Sequence, residues 1–144
     1  MTVAGIQHQA AYDAAREPLL LMGVYFQAQD DYLDAFAPPE TLGKIGTDIQ
    51  DKKCGWLFVQ AYHDLCSKEQ KAYLDEHYGK CKVQTEEENK IKDIYREIGL
   101  EEKYKAYEAK SFKDIMAYQS QVEEVGLPWE IIEIFLKKVY KRTK

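Results

Sequence analysis

A chain of 144 residues is one domain's length, enough for a single modest core. Hydrophobic residues at 45% and charged residues at 31% exclude a disordered chain, and a net charge of −5 argues against general nucleic-acid binding. No apolar run approaches the ~20 residues of a membrane span, and the opening MTVAGIQHQAAYD lacks the basic and apolar regions of a signal peptide.

Helical signals run nearly end to end. A first long helix is expected from about Ala10 to Phe36, with Pro18 either in its first turns or kinking it. APPE at 37–40 ends it, because a residue before proline is pushed out of the α region. Gly43 and Gly46 make TLGKIGTD a loop, after which Thr47 or Asp48 can cap a helix reaching about Leu65. Ser67 with Gln70, and Thr85 with Glu88, read as capping boxes opening the next two helices. Gly99 suits a left-handed C-terminal cap, a further helix runs to Gly126, and Pro128 sits at the first position of the last one. With no strand-like alternation, the chain reads as all-α.

The cysteines, Cys54, Cys66 and Cys81, form no CxxC pair and have no histidine at ligand spacing. An odd count of this kind fits a reducing, cytoplasmic setting.

The informative stretch is FQAQDDYLDAF, Phe26 to Phe36. On a helical wheel Gln27, Asp30, Asp31 and Asp34 fall within an arc of about 100°, while most other positions from Leu19 to Phe36 are apolar. The expectation is a buried helix with one acidic strip. Two carboxylates about 4 Å apart repel by roughly 4 kcal/mol at an effective dielectric of 20, so the strip needs a cation, a water-filled cavity or a solvated edge. An all-oxygen ligand set argues against zinc, and no calcium-hand loop is present. Magnesium fits, since it takes one or two carboxylates and completes its shell with waters and phosphate oxygens. Lys44 on its glycine-flanked loop, and a helix N-terminus after Asp48, offer such a phosphate a seat. Lys52 and Lys53 are expected in that helix's first turn, opposed to its dipole.

The segment GVYFQAQDDYLDAFAPPETLGKIGTDIQDKKCGWL, Gly23 to Leu57, resembles the second aspartate-rich region of the farnesyl diphosphate synthases, within the trans-isoprenyl diphosphate synthase family. The likeness extends less sharply through VYKRTK and covers the C-terminal half of the family's protein. It implies the C-terminal half of the isoprenoid synthase helical bundle, as one region over 1–144. It further implies magnesium-dependent prenyl transfer between isopentenyl diphosphate and an allylic diphosphate. On this resemblance Asp30, Asp31 and Asp34 hold magnesium, Lys44 contacts the diphosphate, and Asp48 and Lys53 support the metal's water shell. Phe26 and Gln27 border the isoprenoid chains, and Arg142 helps close the isopentenyl diphosphate site. Thr143 stands where the family often has a second arginine. The sequence contains no second DDxxD, and the helices of the family's homodimer interface are not found in it. The expectation is therefore a part of such an enzyme, inactive alone. The alternative is a non-catalytic magnesium–diphosphate-binding half-bundle, or a partner of a full-length homologue.

Overall fold

The first helix, α1, spans Gln9–Phe36 in a computed structural model that describes residues 5–140. Pro18 lies well inside α1 and is fully buried, so the helix accommodates the lost backbone donor instead of starting after it. Its buried positions, among them Ala11, Ala15, Met22 and Tyr25, recur at intervals of three and four, as one helical face requires. What lies on that face departs from expectation. Asp31 and Asp34 are buried, at 4% and 7% exposure, whereas Leu19, Leu20 and Val24 are about half exposed or more. The helix is one-sided, and two of the aspartates are on its inner side.

A short helix, α2 (Pro39–Leu42), follows and ends at Gly43, whose φ of 76° provides the left-handed cap. The helix expected from Thr47 or Asp48 does not form. Residues 48–52 make turns, and α3 (Trp56–Val59) begins only after Gly55, continuing as a π-helical segment, Gln60–Leu65. The reason is local: the amides of Thr47 and Asp48 are drawn to Asp34, and Lys52 takes a left-handed φ of 52°, which no helix tolerates.

Helix α4 (Lys68–His77) opens with the expected capping box, Ser67 and Gln70 each accepting from the other's backbone amide. Helix α5 (Glu86–Glu97) is capped by Thr85, but the Glu88 carboxylate returns to the amide of Gln84 instead of closing the box. Gly99, at φ 70°, precedes α6 (Leu100–Met116). The single helix expected to reach Gly126 is interrupted at 117–118 and resumes as α7 (Gln119–Glu124). Pro128 caps the final helix, α8 (Trp129–Val139). No strand occurs among the described residues.

The described residues form two compact units, one comprising residues up to Phe26 and from Tyr107 onward, the other Gln27–Ala106. The first has a core around Met22, Tyr25, Ile115, Trp129 and Leu136, with the Tyr25 hydroxyl donating to Glu108 at 2.8 Å. The second packs Leu57, Leu74, Tyr78, Ile91, Tyr95 and Leu100 around the last turns of α1. All residues of the acidic strip belong to the second unit.

Candidate functional site

The two buried aspartates receive the chain that follows α1. Asp34 accepts from the amide of Thr47 at 3.3 Å and from that of Asp48 at 3.0 Å. Asp31 accepts from the amide of Trp56 at 2.6 Å, from Gln27 Nε2 at 3.2 Å, and from Lys53 Nζ at 2.8 Å. Lys53 Nζ also lies 2.8 Å from Asp48 Oδ2. Charge-assisted hydrogen bonds contribute about 1.5–3 kcal/mol each, so two or three per carboxylate balance a desolvation cost of several kcal/mol. The carboxylates also stand in for missing local caps: Asp31 serves the first amide of α3 from 25 residues away.

Two glycines make this approach possible. A Cβ on Gly46 would stand 2.2 Å from the Asp34 carbonyl oxygen, and one on Gly55 would stand 2.6 Å from Asp31 Oδ2. Gly55 carried no motif of its own in the sequence. Its signal is its place one residue before the Trp56 amide that Asp31 binds.

Charge is uneven here. Asp31 and Asp48 share the Lys53 ammonium, while Asp34 is bonded to the amides of Thr47 and Asp48. Burial works against the Lys53 charge, but hydrogen bonds to Asp31 and Asp48 outweigh it and lift its pKa well above the ordinary lysine value. Burial pushes the Asp48 carboxyl up, its bond to Lys53 pulls it down, and neighbouring Asp34 and Asp31 push it up again, for a net rise. One cation does not neutralise three carboxylates.

A cavity of about 20 Å³ lies among Asp31, Asp48, Lys53, Tyr78 and Tyr95. It has room for roughly one water and is too small for a diphosphate. Around this interior, Asp30 is half-buried and the least buried of the three strip aspartates, while Gln27 and Lys44 are exposed. Phe26 is also exposed and belongs to the other unit's end of α1. Arg142 lies outside the described residues. Lys52 is exposed on the turn, and the helix N-terminus expected beside it is absent, its place taken by amides committed to Asp34. No group of three or more His, Cys, Asp or Glu side chains among the described residues is arranged to hold a metal by itself. No described helix is long and apolar enough to cross a membrane, and the three cysteines are free thiols.

A helical fold in which paired aspartates of one long helix gather a glycine-flanked lysine loop has known relatives. Residues 1–98 match the polyprenyl synthetase family, and the chain belongs to that family. It is 47% identical to the farnesyl pyrophosphate synthase of Saccharomyces cerevisiae over 145 residues, covering 100% of this chain and 40% of the yeast protein. It is 48% identical to the mitochondrial farnesyl pyrophosphate synthase 1 of Arabidopsis thaliana over 130 residues, covering 88% of this chain and 32% of that one. Among solved structures, the farnesyl diphosphate synthase of T. brucei in complex with a bisphosphonate superposes with a TM-score of 0.84 at 37% identity. That match covers 92% of this chain and 45% of the trypanosomal one. The chain thus spans about two fifths of the length of the curated relatives it matches, and it shares the helical isoprenoid synthase fold.

Proposed function

We propose that this chain carries the aspartate-rich, diphosphate-binding part of a farnesyl diphosphate synthase site. There the allylic C–O bond would break with release of pyrophosphate, and the allylic cation would join the alkene of isopentenyl diphosphate with loss of a proton, magnesium supplying charge for the leaving group. The observation that carries the reading is the commitment of Asp31 and Asp34 to the 46–56 segment. It holds an excess of negative charge beside the half-buried Asp30 and an exposed Lys44.

The donor set fits magnesium shared with a substrate better than an all-protein cage. Asp30, the most accessible of the three, would be its protein ligand, with Asp31 and Asp34 as buried anchors. Bound there, the ion would neutralise the charge that develops on the diphosphate as the allylic C–O bond breaks. Lys44 would pair with diphosphate oxygens, and Asp48 and Lys53, which fix the loop, would support the water shell of a bound metal. Phe26 and Gln27 border the isoprenoid chain and keep water from the developing carbocation. Arg142 would contribute a positive charge to the binding of isopentenyl diphosphate. With a single DDxxD in its sequence, the polypeptide alone does not complete the reaction.

The test is a melting series with magnesium, pyrophosphate and both. Both together should stabilise the protein, by about 2.7 kcal/mol at a hundredfold excess over the dissociation constant. Asp30→Asn should remove that shift, and Lys44→Ala should remove the pyrophosphate-dependent part. Given geranyl and isopentenyl diphosphates, the same preparation should form no farnesyl diphosphate. A wild type and Asp30→Asn that respond alike would refute the site.

A further inference from the structure

The turn carrying Asp48 and Lys53 is also held by the side chain of Tyr78. The Tyr78 hydroxyl donates to the Lys53 carbonyl at 2.8 Å and lies 3.4 Å from that of Asp48. The next residue adds a backbone bond, the Gly79 amide donating to the Ile49 carbonyl at 2.8 Å. The fit is close, because a Cβ on Gly79 would stand 2.5 Å from Lys52 Cβ. Lys52 keeps its left-handed backbone within this grip, a conformation a non-glycine residue adopts only when its surroundings impose it. Tyr95, 1% exposed, stands with Tyr78 in the wall of one small cavity, which Asp31 and Lys53 also line.

We propose that Tyr78, backed by Tyr95, is a positioning residue for the diphosphate site, fixing the 48–53 turn by its carbonyls so that Lys53 bridges Asp31 and Asp48. The role rests on the function proposed above, yet neither tyrosine touches substrate. Three features favour it over plain core packing. The Tyr78 hydroxyl is spent on the carbonyls of two site residues, those carbonyls are separated by a strained turn, and the donor comes from 25 residues beyond Lys53. A phenylalanine at 78 would keep the ring stacked on Phe58, whose centroid is 4.3 Å away, and lose the tether alone.

The test compares wild type with Tyr78→Phe and Tyr95→Phe by native-state amide exchange and by calorimetric titration with magnesium pyrophosphate. Ile115→Val, in the core of the other unit, serves as a control for general destabilisation. Tyr78→Phe should speed exchange of the Asp48 and Trp56 amides about tenfold and weaken pyrophosphate binding about tenfold, as loss of one buried hydrogen bond allows. Tyr95→Phe should show both effects at roughly a third of that size, and Ile115→Val neither. Equal exchange and equal affinity in wild type and Tyr78→Phe would overturn the positioning role alone. Ile115→Val changing the two readouts as Tyr78→Phe does would also overturn it. A wild type that binds no magnesium pyrophosphate would overturn the diphosphate reading and this role with it.

Discussion

Asp31 and Asp34 are buried carboxylates whose cost is met by amides and an ammonium delivered from up to 25 residues away. That delivery depends on glycine at two positions, for different reasons. At Gly46 the obstructing atom is a backbone oxygen, which cannot rotate aside. Gly46→Ala should therefore cost on the order of 2–3 kcal/mol, and Gly55→Ala about as much by dislodging a carboxylate that is already fully bonded. Gly43→Ala is the useful contrast: its backbone is left-handed, but nothing lies within 4 Å of the added carbon. It should cost only about 1 kcal/mol. Urea midpoints of the three variants check this order, and a Gly43→Ala as damaging as Gly46→Ala would contradict it.

Among elements, α4 and α5 bring the tyrosine pair to the turn, and this pairing makes alkaline stability measurable. Burial raises the hydroxyl pKa values of both Tyr78 and Tyr95 above the ordinary phenol value. A group whose folded pKa is raised contributes stability that is fully present below its unfolded pKa, about 10 for tyrosine. That stability is lost as pH climbs toward the folded value, at about 1.4 kcal/mol per pH unit and group. Lys53, also raised, acts in the same direction. Burial also raises the thiols of Cys66 and Cys81, so unfolding free energy should begin to fall above about pH 8.5 and fall more steeply above about pH 10, less so in Tyr95→Phe. Identical slopes would remove the tyrosine from the account. Local signals made α4 legible in advance, since Ser67 and Gln70 are three residues apart and bond to each other. The start of α3 was not legible. Its cap is Asp31, and no window around Thr47–Gly55 reveals that the amides there are claimed from α1. The same long-range capture turned two aspartates of the strip inward, a result that periodicity alone reads in reverse.

At the scale of the molecule, the unit formed by residues up to Phe26 and from Tyr107 onward carries most of the exposed large apolar side chains. Leu19, Leu20 and Val24 of α1 and Ile131, Ile134 and Phe135 of α8 are all about half exposed or more. An apolar groove of about 310 Å³, lined in part by Leu19, Leu127, Ile131 and Phe135, lies in the same unit. Single exposed apolar residues are ordinary, but Leu19, Ile131 and Phe135 along one groove, with further exposed apolar side chains on the same two helices, make a surface that associates. The other unit, Gln27–Ala106, shows only Ile45 and Val83 in this class among the described residues. The 144-residue chain is therefore expected to self-associate at micromolar concentration and to bind a hydrophobic dye. Val24→Glu combined with Ile134→Glu should shift it toward monomer and reduce dye binding without lowering the helical circular dichroism signal. Because both positions lie outside the aspartate strip, the stabilisation by magnesium pyrophosphate should survive in this variant. Light scattering that finds the wild type monomeric and dye-free would show that the exposed face is not adhesive.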